Sequence, residues 1–142
     1  MGALALVFVG LQLVLPRGWQ GLTMNPKLAT CDPATLAVVG TQTPHLTNNG
    51  WALPAPGQVL VFVEEDHANK PYGNMHRPAR FQIRWGHFDR LEGCCGLPAA
   101  RGQTIWFRQN GRYLGFIVYA GRNVSAKTRA ATQRLLDSLH VR

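Results

Sequence analysis

Asn110-Gly111, set inside "TIWFRQNGRYLGFIVYA", constrains the fold of this chain more than any other feature. Asn-Gly is the preferred pair for a two-residue type I′ turn, because both central residues need positive φ. The flanking runs are rich in aromatic and β-branched residues, so the stretch predicts an antiparallel hairpin over 104–119. The turn also sets the register. Phe107 should oppose Leu114, and Ile105 should oppose Phe116, on one apolar face. Arg108 should oppose Tyr113, and Trp106 should oppose Gly115, on the other, where an indole can cover backbone that glycine leaves bare.

The other segments supply partners for this hairpin. Leu11–Leu15 reads as a strand stopped by Pro16, with "PRGW" as a turn in which Gly18 takes positive φ. Thr35–Val39 is a short strand. Gln58–Val63 is nearly continuous in apolar residues and predicts a buried central strand. Arg80–Trp85 alternates strictly: Phe81, Ile83 and Trp85 on one side, Arg80, Gln82 and Arg84 on the other. That is the pattern of a half-buried antiparallel strand. Residues 43–57 read as loop, and Glu64–Pro78 as a polar, turn-rich stretch. After Ser125, a suitable N-cap, Ala131, Leu135 and Leu139 recur at four-residue spacing, flanked by Thr128 and Leu136. Arg134, His140 and Arg142 fall near the expected C-terminal end of this helix. Strands, hairpin and closing helix together predict an α+β domain: an antiparallel sheet of about five to six strands with the helix packed on one face. The 142 residues, 46 % of them hydrophobic, suit one domain with a real core, placed at 11–142.

The run "MGALALVFVG" is apolar but shorter than the roughly 20 residues a spanning helix needs. No Lys or Arg precedes the apolar residues, and no A-x-A pattern follows them. Residues 1–10 are read as the remnant of an export or anchor segment. An uncleaved short anchor and a plain first strand are the other readings.

"VLPRGW" after a first strand, the hairpin "NGRYLGFIVYAG" and a closing helix ending in "RLLDSL" resemble the arrangement in small exported domains of the PsbP/Mog1-like type. They are more similar still to uncharacterised exported proteins of GC-rich bacteria. The resemblance implies a fold and an envelope address, extracytoplasmic or membrane-associated. It transfers no catalytic residue.

The three cysteines bear on the same address. Cys94 and Cys95 are adjacent, and Cys31 lies far away. In an oxidising compartment Cys31 can pair with either neighbour but not both, since adjacent side chains in extended backbone point to opposite faces. A Cys94–Cys95 bridge, through a strained ring, is a second arrangement. Three reduced thiols acting as small hydrophobes are a third. Adjacent cysteines lack the C-x₂₋₄-C spacing of zinc sites, and no metal or other cofactor is expected.

Charge supplies the remaining clue. Lys and Arg total 15 against 7 acids, a net +8, and thirteen of the basic residues follow Leu60. A basic half points to an anionic partner, with Arg80, Arg84, Arg108 and Arg112 as candidate anion-binding residues on a sheet face beside Trp106 and Tyr113. The competing reading is a solvated arginine-rich face. The two serines, Ser125 and Ser138, sit at helix ends, and no G-x-S-x-G elbow exists. Glu64, Glu65, Asp66 and His67 form an acidic cluster, read chiefly as a solvated strand end. If strand geometry persists, Glu64 and Asp66 share a face roughly 7 Å apart and could hold a divalent cation or act as an acid–base pair. The functional expectation is a non-catalytic, exported or membrane-tethered envelope protein that binds an anionic partner. A small basic nucleic-acid-binding module is the first alternative, although no RNP motif or helix-turn-helix is readable. A thiol-dependent or hydrolytic enzyme, using Cys94 or Cys95 with a histidine such as His87, is the second.

Overall fold

The computed structural model describes residues 4–25, 31–67 and 75–142. Residues 1–3 of the apolar run and 68–74 of the polar stretch lie outside that description. The predicted hairpin is present as β9 (Arg101–Gln109) and β10 (Arg112–Ala120). Asn110 and Gly111 both take positive φ, 52° and 75°, as a type I′ turn requires. All four predicted cross-strand pairs occur in the predicted register. A Cβ on Gly115 would lie 2.6 Å from the Trp106 ring, so only glycine admits the indole there. The Arg108 guanidinium sits 4.7 Å from the centre of the Tyr113 ring.

Around the hairpin a six-stranded antiparallel sheet is built in the order β3–β4–β7–β10–β9–β8. Here β3 is Gln20–Thr23, β4 is Ala34–Gly40, β7 is Val59–Asp66 and β8 is Asp89–Arg90. Both faces of β7 are covered, which explains its unbroken apolar run. Val59, Val61 and Val63 enter the larger core; Leu60 and Phe62 enter a smaller one with Val38, Ile117 and Tyr119. A second sheet orders β1 (Leu4–Phe8), β2 (Leu11–Leu15) and β11 (His140–Val141). It contributes Leu11, Leu13 and Leu15 to the larger core. Part of the run read as an export or anchor remnant is therefore strand β1, joined to β2 through Val9-Gly10. A small hairpin, β5 (Leu46–Thr47) with β6 (Gly50–Trp51), stands in the stretch read as loop.

The helix α1 spans Ala126–Asp137, capped by Ser125, whose Oγ accepts from the Thr128 amide. It buries Ala131, Thr132, Leu135 and Leu136. The helix stops sooner than its apolar stripe suggests. Ser138 ends it and accepts from the Val14 amide at 2.9 Å, and His140–Val141 then joins β2. Leu139 is still buried, but from beyond the helix.

Two expectations need correction. Arg80–Trp85 keeps its alternating exposure, yet it is not a strand. Its backbone is satisfied by side chains instead of a ladder. The Phe81 amide donates to Asp137, the Arg84 amide donates to Gln103, and Gln103 and Gln133 donate to the Gln82 and Phe81 carbonyls. This wedges Phe81 into the larger core, 5.0 Å and 5.2 Å from the Phe107 and Phe116 ring centres. The acidic cluster is not a solvated strand end either. β7 continues through it, leaving Glu64, Glu65 and Asp66 1 %, 7 % and 5 % exposed.

Glu65 shows how such burial is tolerated. Arg112 grips its carboxylate with two hydrogen bonds, of 2.7 and 2.8 Å, and donates a third to the Val9 carbonyl. Hydrogen bonding to the carboxylate raises the Arg112 pKa, against a smaller opposing effect of burial. Arg112→Met should therefore cost about 2 kcal/mol in urea unfolding, because it strands a buried carboxylate. Arg112→Met together with Glu65→Leu should recover most of that loss. A single variant as stable as the wild type would contradict this role.

Candidate functional site

The structure scatters the four arginines proposed from sequence. Arg112 faces the larger core side of the sheet and is committed to Glu65. Arg108 belongs to the opposite face, since it pairs with Tyr113, and Arg112 is one residue out of phase with that tyrosine. Arg80 and Arg84 lie off the sheet and share a cavity of about 310 Å³ with Trp106. Arg84 is also 3.4 Å from Asp89 in an exposed ion pair. These four side chains do not form one surface.

Three other arginines do come together. The start of β9 supplies Arg101, the connection from β10 to α1 supplies Arg122, and the first turns of α1 supply Arg129. They line a cleft of about 490 Å³ with Trp85, Phe88 and Val124. Local structure fixes each wall. Gly121 sits so close to the Ala55 carbonyl that a Cβ there would lie 2.0 Å from its oxygen, and the Gly57 amide donates to the Arg122 carbonyl at 2.6 Å. The Trp85 and Phe88 rings pack 5.8 Å apart at 31°. The Arg129 guanidinium sits 5.3 Å from the Trp85 ring centre, while an Arg101 Nη donates to the Phe88 carbonyl at 3.4 Å.

The electrostatics are one-sided. Among the described residues, none of these three arginines has a carboxylate ion pair. No acidic residue sits in the first turn of α1, so the positive end of the helix dipole adds to the field. Planar guanidinium groups bind carboxylate, sulfate and phosphate through paired hydrogen bonds, and the aromatic walls suit a ring or sugar face. The lining residues include no histidine, cysteine or carboxylate, the usual nucleophiles and proton carriers. Arg101, Arg122 and Arg129 carry no spacing signal in the sequence. Only the tertiary fold assembles them.

Arg77 is another arginine whose role sequence leaves open. It donates to Gln109 at 3.0 Å and to the Asp137 and Leu139 carbonyls at the end of α1. Burial lowers its pKa, partly offset by the Asp137 charge. It locks the helix end.

The cysteines resolve to a Cys31–Cys95 disulfide, leaving Cys94 free and exposed. Cys95 takes φ 57° between Gly93 and Gly96, both also at positive φ, inside a turn. A disulfide hints at an oxidising compartment. No described helix is long and apolar enough to cross a membrane, and the described residues contain no group of three or more metal-ligating side chains.

Fold and cleft together define a class: a small disulfide-linked α+β domain with a basic, aromatic-walled cleft. Compared with protein-family models, curated proteins and solved structures, the chain finds no match.

Proposed function

We propose that this protein is a non-catalytic, extracytoplasmic binding protein of the cell envelope, tethered or free. Its cleft at Arg101, Arg122 and Arg129 takes the carboxylate, sulfate or phosphate of an anionic partner. The carrying observation is that three guanidinium groups with no acidic partner among the described residues line one aromatic-walled cleft. Mutual repulsion among them is relieved by a bound anion, so the arrangement favours binding over stability. The net charge of +8 adds long-range attraction. The Cys31–Cys95 bridge supports the extracytoplasmic address, as does the resemblance of the chain ends to exported domains.

The test is salt-dependent binding to an immobilised sulfated polysaccharide. Wild type should bind, and affinity should fall as ionic strength rises and the Debye length shrinks to about 10 Å at 0.1 M. Changing Arg101, Arg122 and Arg129 together to alanine should weaken binding about tenfold or more. Changing Arg90, Arg134 and Arg142 removes the same formal charge and should have a much smaller effect. Equal losses in the two variants would show that net charge, not the cleft, governs binding. The nucleic-acid reading draws on the Trp85–Phe88 pair, on which bases can stack. It would be preferred if a single-stranded oligonucleotide bound far more tightly than the polysaccharide at equal charge.

A further inference from the structure

We infer that the cavity over Glu64 is a second binding site, for a primary ammonium group carried on a small apolar or aromatic body. This inference is independent of the anion cleft. The cavity holds about 310 Å³, room for a ligand at the small end of the usual range. Its walls come from separate parts of the chain: Cys31–Thr35 entering β4, Trp51 on β6, the turn at Cys94–Leu97, and Glu64 on β7. The disulfide joins the first wall to the third. The Trp51 amide donates to the Gly96 carbonyl at 3.0 Å, and the indole packs edge-on at 6.3 Å from Phe62. These ties hold the backbone of the three walls in place, while the side chains over Glu64 still have to move.

Glu64 is the anomaly that points to a ligand. It is 1 % exposed, and among the described residues no donor hydrogen bonds to either carboxylate oxygen. Thr35 lies directly across the strand pair and eases the burial, but leaves both oxygens unbonded in the usual geometry. Buried polar groups are nearly always satisfied, and the neighbouring Glu65 follows that rule through Arg112. Glu64 departs from it while lining a cavity.

The ligand class follows from the rest of the lining. Among the described residues no Lys or Arg lines this cavity, although the protein carries +8. Asp32 adds a second carboxyl to the lining, with one oxygen accepting from the His67 amide at 2.9 Å. Met24, Trp51 and Leu97 offer apolar surface, and an indole favours a cation over its face. A divalent metal fits poorly, since it needs several oxygen ligands and the described residues hold no cluster of three. An organic cation needs one carboxylate, a π face and an apolar wall. Because the Glu64 oxygens are shielded from solvent, the lining side chains must shift as the ligand seats.

The experiment titrates the folded, oxidised protein with phenethylammonium and, separately, with phenethyl alcohol as the uncharged match. At about pH 8 both the amine and Glu64 are charged. Phenethylammonium should saturate and bind about tenfold more tightly than the alcohol. It should also shift the Trp51 indole N–H resonance. In Glu64→Gln the preference for the cation should vanish, with near-ultraviolet circular dichroism confirming the fold. In Arg142→Ala, outside both cavities, the preference should persist. Three results would overturn the inference: no saturable binding of phenethylammonium, equal binding of the two probes, or a cation preference that survives in folded Glu64→Gln. Should Glu64→Gln fail to fold, the wild-type preference and the Trp51 shift decide. Loss of polyanion binding in the cleft variant leaves this site untouched, so the two readings fail separately.

Discussion

Replacing both Cys31 and Cys95 with serine should lower the unfolding free energy by about 4 kcal/mol. The bridge spans a sequence separation of 64, and the chain-entropy model assigns that stabilisation to closing so long a loop in the unfolded state. The bridge also fastens the entry to β4 onto the turn at Cys94–Leu97. Urea unfolding of the double variant, beside Cys94→Ser, is the measurement. Cys94 is exposed and unbridged, so its replacement should change stability by under about 0.5 kcal/mol. A double variant within about 1 kcal/mol of wild type, the usual scatter of single-site effects, would show that the bridge is not a principal tie. A large loss in Cys94→Ser would show that the pairing is with Cys94.

Stability should also fall with rising pH because of Glu64, in the opposite sense to most carboxylates. Burial raises its pKa from 4.5 to about 7, partly offset by Thr35. Below its unfolded pKa the group is protonated in both states and carries no penalty. Between 4.5 and about 7 the unfolded chain releases this proton while the folded protein keeps it, so the native state loses stability as pH rises. Above about 7 both states are ionised and the full penalty stands, about 3 kcal/mol for a shift of this size. Glu64→Gln cannot ionise. Its stability relative to wild type should therefore improve by about 3 kcal/mol between about pH 4 and about pH 8, as read from paired denaturation curves. A constant difference across that range would show that the carboxylate is solvated in the folded protein. The same penalty would be relieved by an ammonium ligand, so phenethylammonium should stabilise wild type more at high pH than at low pH.

The two sites were legible in the sequence to different degrees. The cysteine choice was half visible. Cys31 was the expected partner, but Cys94 and Cys95 were equivalent in sequence. The Gly93–Gly96 turn separates them, sending one sulfur toward Cys31 and the other to solvent. The basic second half was visible as a count, yet the arginines that gather were not those expected. Arg108 and Arg112 sit on opposite faces of the hairpin, a consequence already contained in its register. The Glu64–Asp66 cluster looked like the end of a strand because charge usually marks a boundary. In fact β7 runs on, with Arg112 from a neighbouring strand satisfying Glu65.

By itself the amino-acid sequence determined the hairpin, its turn type and register, the helix with its Ser125 cap, and the buried central strand. Each depends on residues close together in the chain, where turn geometry and side-chain alternation act directly. Only the tertiary structure decided that Arg80–Trp85 is an extended wedge and not a strand, that Cys95 is the bridged cysteine, and that Arg101, Arg122 and Arg129 share a cleft. Those outcomes depend on which distant segment supplies the donor, the sulfur or the neighbouring charge. No local pattern encodes that choice, because it is made only when the two cores close around β7.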